Sequence, residues 1–290
     1  MTYSVAQQSN QGGRDYNEDR TAIYKRGDAI LLVLADGLGG HAGGDLASQA
    51  FVDALGASFK NAKLEQFEKA DHFLSLSINY AHHMIHRRAV NQGFDVESPK
   101  TTCVVCLIYK GVAQWAHSGD SRLYLINKRK TLHITTDHVS KKVNAGGNSP
   151  INQCVGGLEA PKPVISQKHI LDDRDIFMLA SDGAWACFNP VDLNDYVDPE
   201  HPTLGLDNLL QELENRNKTP SDNLSIVILF WGIRQRDKPS LNDINNLDTI
   251  EVIGRQKSDS GKPLEKFNME ELDSTINEIE NFIADLDEEI

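Results

Sequence analysis

The sequence is short of positive charge. Its 290 residues carry 29 Lys and Arg against 42 Asp and Glu, a formal net charge of −13. A nucleic-acid backbone is gripped by clustered Lys and Arg, so nucleic acid is excluded as a partner. An acidic protein can still act on phosphate, but only where something cationic sits in its site. Cysteine is scarce too. Cys103, Cys106, Cys154 and Cys187 follow no framework spacing, and a chain of this length needs no disulfide staples. Cys103 and Cys106 form a C-x-x-C, but they lie in Thr-Thr-Cys-Val-Val-Cys-Leu-Ile-Tyr, which reads as a buried strand and not as the opening of a helix. Long apolar runs are missing. Stretches such as Ala29 to Ala35 are far too short to cross a bilayer. No basic segment followed by an apolar one opens the chain, so no signal peptide is expected. A reduced, cytoplasmic location without a membrane partner is the expectation.

What is present is a set of short, strongly apolar runs. Ile30–Leu34, Thr102–Tyr109, Val112–Ala116, Arg122–Ile126, Ile176–Leu179 and Leu224–Trp231 read as strands buried on at least one face. Two helical patterns lie between the first and second. Leu46, Ala50, Phe51, Ala54 and Leu55 share one helix face, and Phe73, Leu74, Ile78, Ala81 and Ile85 share another. A shorter helix is expected from Leu204 to about Asn215. The order lacks the regular alternation of a parallel α/β sheet, which predicts an α+β fold with mainly antiparallel strands. Two helices cannot cover so many strands in one layer, so two packed sheets with helices outside are expected.

Aspartates fall at the ends of these runs. Asp36-Gly37 closes Leu-Leu-Val-Leu-Ala, and Asp182-Gly183 closes Ile-Phe-Met-Leu-Ala-Ser. Asp120 sits in Ser-Gly-Asp-Ser between two strands, Asp222 precedes Asn223 and a strand, and Glu18 and Asp19 close Arg14-Asp15-Tyr16-Asn17-Glu18-Asp19. Any one Asp-Gly is an ordinary turn. Two apolar strands ending the same way suggest carboxylates delivered to one cleft. Carboxylates that meet cannot all ionise without cations nearby. The motifs hold few basic residues, Arg14 and Arg122, so metal ions are the natural answer. All-oxygen ligation without a His or Cys cluster favours Mg²⁺ or Mn²⁺ over zinc. Two such ions roughly 4 Å apart can activate a shared water for attack at phosphorus. In Gly37-Leu38-Gly39-Gly40-His41, the absence of side chains lets the Gly37 carbonyl approach a metal. His41 is either a general acid or a structural cap.

In this order the segments resemble the motifs of the type 2C protein phosphatases in their bacterial form. The resemblance rests on Arg14-x-x-Asn17-Glu18-Asp19, Ala35-Asp36-Gly37-Leu38-Gly39-Gly40-His41, Thr101-Thr102, His117-Ser118-Gly119-Asp120-Ser121-Arg122, Thr135-Thr136-Asp137-His138, Ser181-Asp182-Gly183 and Ser221-Asp222-Asn223-Leu224. It covers about residues 3–232. It implies a central β-sandwich flanked by helices, a four-layer αββα arrangement. It also implies a metal-dependent enzyme that hydrolyses phosphoserine and phosphothreonine in phosphoproteins by a metal-bridging hydroxide. Asp36 would bridge two Mn²⁺ or Mg²⁺ ions, Gly37 would give a carbonyl, and Asp182 and Asp222 would be direct ligands. Glu18 and Asp19 would hold metal-bound waters, and Asp120 would help bind a third, weaker ion. Arg14 would clamp the substrate phosphate as a bidentate fork. Asp36, Asp182 and Arg14 are thus the expected catalytic residues. The alternative is a non-catalytic scaffold that keeps the fold and binds through its C-terminus. The segment Val139–Ile151 is shorter than the flap of bacterial relatives, which implies a more open site.

The expected boundaries are a catalytic domain over 1–233, a polar linker over 234–267 with a possible short strand at Ile250–Ile253, and a helix over 268–290. In that last segment Met269, Leu272, Ile276, Ile279, Ile283, Leu286 and Ile290 repeat at heptad spacing, with nine acidic residues and no Lys or Arg. Like charges flank the stripe, so self-pairing is disfavoured and a basic partner is expected for this acidic amphipathic helix. The phosphoprotein substrate and a cognate serine/threonine kinase system are the other expected partners.

Overall fold

The computed structural model describes residues 2–38, 42–141, 149–190, 193–216, 222–234, 236 and 251–255. His41 and the heptad-patterned segment 268–290 lie outside the described residues. In chain order the elements are β1 (Tyr3–Asn10), β2 (Arg20–Arg26), β3 (Ala29–Ala35), β4 (Gly37–Leu38), α1 (Ala42–Asn61), α2 (Ala70–Asn91), β5 (Lys100–Thr101), β6 (Cys103–Tyr109), β7 (Val112–Ser118) and β8 (Arg122–Asn127). They continue as β9 (Lys130–Ile134), β10 (Val155–Gly156), β11 (Val164–Ile165), β12 (His169–Ile170), β13 (Ile176–Ala180), α3 (Asp182–Trp185), α4 (Leu193–Tyr196), α5 (Pro202–Arg216), β14 (Leu224–Trp231) and β15 (Glu251–Arg255).

Two antiparallel sheets carry the fold. One has the order β1-β14-β13-β8-β9; the other runs β11-β7-β6-β3-β2-β15, with β12 also on β7. The strand expected near Ile250–Ile253 is β15, and it pairs antiparallel with β2. The layers follow from strand alternation. In β3, Leu31 and Val33 pack with the helices, while Ile30, Leu32 and Leu34 turn to the other sheet. In β13, Phe177 and Leu179 face the opposing sheet, while Ile176 and Met178 face outward. Three apolar clusters result. The first joins one sheet to α1 and α2, the second joins the other to α5 through Leu206, Leu209, Leu210 and Leu213, and the third fills the space between sheets. This is the expected αββα arrangement. Cys103 faces the helices and Cys106 faces the sheet interface, so the C-x-x-C is split across one strand. Burial pushes the Cys103 thiol up to about 12 and the Cys106 thiol higher still, so both act as small core residues.

Strand register explains why one end of the sandwich is chemically distinct. Arg20 at the start of β2 opposes Ala35 at the end of β3. Cys103 at the start of β6 opposes Ser118 at the end of β7. Arg122 opposes Ala180, and Ala180 in turn opposes Ile226 near the start of β14. Asn10, the last residue of β1, opposes Leu224. The residues just beyond these positions are Glu18–Asp19, Asp36, Asp120, Asp182, Asp222 and the loop bearing Arg14. Antiparallel pairing alone therefore brings these sequence-distant groups to one edge of both sheets.

Phe177 is fully buried between the sheets, with its ring 6.3 Å from that of Trp115. Phe177→Ala should lower stability by about 3–5 kcal/mol through lost transfer energy and the cavity left behind. A urea titration should show an earlier midpoint with an unchanged slope; a loss below about 1 kcal/mol would show that the two sheets are not packed through this residue.

Candidate active site

A cavity of about 270 Å³ opens at that edge, lined by Arg14, Asp15, Tyr16, Glu18, Asp36, Gly37, Leu38, Asp120, Ile151, Asp182, Asp222 and Asn223. Asp19 lies beneath it, 1% exposed. The candidate site residues Arg14, Glu18, Asp36, Gly37, Asp120, Asp182 and Asp222 thus line one pocket, with Asp19 buried next to Glu18.

Several of the acidic residues are held through their main chain. The Asp36 carbonyl accepts bonds from the Thr102 amide (2.8 Å) and the Thr101 hydroxyl (2.9 Å), while the Asp36 amide donates to Thr102 Oγ1 (3.1 Å). The paired threonines are therefore a clamp on Asp36. Gly37 permits a close crossing of backbones. A Cβ there would lie 2.5 Å from the carbonyl carbon and oxygen of Gly44 and 2.9 Å from the Glu18 carbonyl oxygen, a clash no side chain can relieve. Gly119, at φ +112°, likewise leaves no room beside Thr102 and sets the turn into Asp120. The Asp120 carbonyl accepts a bond from Trp185 Nε1 at 3.0 Å, and Trp185 stacks on the Arg122 guanidinium, which forks onto Asp137 at 2.8 Å twice.

Two residues with larger roles than their motif positions suggest are Asn223 and Arg20. Asn223 Oδ1 accepts from the Glu18 amide (2.9 Å), and its Nδ2 donates to the Gln11 (2.7 Å) and Tyr16 (2.9 Å) carbonyls. It pins the whole Arg14 loop to the start of β14. Arg20 is buried. It donates to the carbonyls of Asn17 (2.6 Å) and Asp19 (2.7 Å), to Gln49 Oε1 (3.1 Å) and to Asp45. It thereby ties the Glu18–Asp19 segment to the first turns of α1. The one sequence signal was an Arg directly after two acidic residues at a strand start.

The carboxylates resist ionisation together. Burial, then the charges of Asp19, Asp182, Asp120 and Asp222, hold the Asp36 carboxyl well above its ordinary value. Burial pushes Asp19 up to about 7 against hydrogen bonds from Ser225 and Ser181, and Asp120 up to about 6. Asp182 is raised by burial and by Asp222. The cation at hand is Arg14, whose Nη2 lies 2.5 Å from Asp222 Oδ2. Among the described residues no trio of His, Cys, Asp and Glu side chains closes into a ready metal cage. The donor chemistry nonetheless fits hard divalent ions. The set is all oxygen, and the buried Asp19 Oδ2 and Asp120 Oδ1 have no hydrogen-bond partner among the described residues. Ions that keep several waters do not need a closed protein cage.

A family model described as protein phosphatase 2C matches residues 6–217. Protein phosphatase PhpP of Streptococcus pneumoniae is 26% identical over 230 residues, covering 74% of this chain and 92% of that protein. The serine/threonine phosphatase Stp1 from Staphylococcus aureus superposes with a TM-score of 0.68 at 25% identity, over 79% of this chain and 95% of that one. The catalytic domain of the serine/threonine protein phosphatase PstP, solved in complex with two manganese ions, gives 0.62 at 26% identity, over 79% and 97%.

The raised carboxyl groups make the pocket a source of instability when no cation is bound. A carboxyl whose folded value, about 6 for Asp120, exceeds its ordinary 3.8 contributes stability that is complete below pH 3.8 and lost as pH rises through 6. In chelator at pH 8, Asp120→Asn should therefore melt about 2–6 °C above the parent, with the gap narrowing toward pH 4. Thermal melts across this range test it, and equal melting at pH 8 would contradict it. Excess Mn²⁺ should shrink the gap.

Proposed function

This chain belongs to the protein phosphatase 2C family, and from that premise we propose that it hydrolyses phosphoserine and phosphothreonine monoesters in phosphoproteins, with divalent ions held by its carboxylate pocket. The observation that carries the reading is the convergence of Glu18, Asp36, Asp120, Asp182 and Asp222 with the Arg14 guanidinium in one cavity. A phosphate dianion would be repelled by these carboxylates alone, so the pocket suits phosphate only in company with cations. Asp36, the Gly37 carbonyl, Asp182 and Asp222 would hold two Mn²⁺ or Mg²⁺ ions; Glu18 and Asp19 would accept hydrogen bonds from their waters, and Asp120 would favour a third ion. Bound there, such ions supply Lewis-acid chemistry, lowering the pKa of water and offsetting charge that develops on phosphoryl oxygens.

The remaining work falls to side chains already in position. Arg14 neutralises Asp222 in the cation-free pocket. So exposed a pair exchanges easily, and the planar fork of Arg14 would grip two phosphate oxygens and fix the phosphorus over the floor. The Ser181 hydroxyl donates to the Asn223 carbonyl and the Ser225 hydroxyl pairs with that of Ser9; with water activated by the bound ions as the nucleophile, no covalent phosphoenzyme is expected. The scaffold alternative gains no support, because a degenerate copy would be expected to lose a metal carboxylate and every matched one is present. An opposing serine/threonine kinase system would generate the substrates.

The test is hydrolysis of para-nitrophenyl phosphate and of a phosphothreonine peptide with Mn²⁺, with and without chelator. Activity abolished by chelator supports the reading; chelator-insensitive activity, or none, counts against it. Asp36→Asn and Asp182→Asn should each lower turnover at least about a hundredfold. Near-normal Mn²⁺-dependent turnover in either would remove that residue from the metal set. Arg14→Lys should weaken substrate use while calorimetric Mn²⁺ binding stays close to the parent. Lost Mn²⁺ affinity would instead make Arg14 a structural partner of Asp222.

A further inference from the structure

The phosphatase reading accounts for the floor of the cavity but not for its rim. Three apolar side chains line the same opening from three separate segments. Tyr16 comes from the loop after β1, Leu38 from β4, and Ile151 from the chain ahead of β10. Tyr16 is 59% exposed, a large aromatic surface facing water beside Arg14. Its exposure is not the result of a loose loop. Asn223 Nδ2 donates to the Tyr16 carbonyl at 2.9 Å, and Asn223 Oδ1 accepts from the Glu18 amide two residues on. Ile151 is also anchored, by a bridge to Val139 and by a bond from the Asn152 amide to the His138 carbonyl at 2.9 Å. The rim is therefore an anchored apolar frame around an acidic floor, with Arg14 and Asp15 as charged neighbours on the Tyr16 loop.

Geometry says what such a frame meets. The cavity, about 270 Å³, is at the small end for pockets that enclose ligands, roughly 300–1,000 Å³. It admits a phosphorylated side chain, and the rest of a peptide must lie across the rim. In an extended peptide the side chains two residues either side of the phosphoresidue point the same way, about 6.6 Å from it. Tyr16, Leu38 and Ile151 are the apolar side chains lining the opening that such positions would meet. Resting on the phosphatase reading, we propose that Tyr16, with Leu38 and Ile151, selects phosphopeptides carrying an apolar side chain two residues before or after the phosphorylated Ser or Thr. A charged residue there is disfavoured because it forgoes the apolar contact and must shed water against the frame.

The test uses the full chain with Mn²⁺ and matched phosphothreonine peptides. Leu, Ala or Glu is placed, one position at a time, at the two sites on either side of the phosphothreonine. At the best position kcat/KM should fall in the order Leu, Ala, Glu, with Leu over Ala by about tenfold and the difference carried by KM. In Tyr16→Ala the Leu/Ala ratio should drop below about twofold, Ile151→Ser should lower it partly, and Tyr16→Phe should keep it. The ratio is taken within each variant, so a general change in activity cancels. A parent enzyme that hydrolyses para-nitrophenyl phosphate but treats all the peptides alike overturns the rim proposal alone. So does a Leu/Ala ratio that survives Tyr16→Ala. A parent inactive on both the small ester and the peptides overturns the phosphatase reading and the rim with it.

Discussion

Mutual repulsion among buried carboxylates is the constraint that organises this molecule. Burial raises the proton affinity of Asp19, Asp36, Asp120 and Asp182, and neighbouring carboxylates, Asp182 and Asp222 above all, raise it further. A fold can tolerate such a cluster only if its framework is stable independently. The three apolar layers supply that framework. Thr101, Thr102, Arg20, Trp185 and Asn223 all grip backbone groups of the acidic segments, which leaves oxygens such as Asp19 Oδ2 and Asp120 Oδ1 without a hydrogen-bond partner among the described residues.

Arg14 shows the same economy of charge. A guanidinium over half exposed cannot be a strong structural partner for Asp222, because such pairs are screened by solvent. Its contact is therefore easily exchanged. A side chain that moves between a carboxylate and a phosphate oxygen keeps a comparable charge environment throughout, which suits a group meant to engage and release an anion repeatedly.

Much of this was legible in the sequence where local pattern and tertiary role coincide. β3, β6, β13 and β14 are buried on both faces, so each reads as an unbroken apolar run, and an Asp at its end stands out. The helices α1, α2 and α5 declared themselves by 3.6-residue spacing. β1 and β2 did not stand out, because their half-buried positions carry Gln, Asn, Lys and Arg. β9 did not either, since most of its residues face water. The roles of Arg20 and Asn223 were out of reach for a different reason. Asn223 acts on Gln11, 212 residues away, and Arg20 acts on main-chain carbonyls, which every residue has. Composition and spacing carry no trace of such contacts. The apolar rim was equally hidden, because Tyr16, Leu38 and Ile151 are unremarkable until folding gathers them.

The pairing of β15 with β2 has a further consequence. Without it, β2 would be the last strand of its sheet, with a row of amide and carbonyl groups open to any extended chain that came near. Sequence well past the last pocket residue thus shields the sheet edge from edge-to-edge association. A shorter chain ending at Ile233 would keep every residue of the pocket and still gain a template for sticking to its own copies. In this family member, solubility and chemistry are encoded in different stretches of the polypeptide.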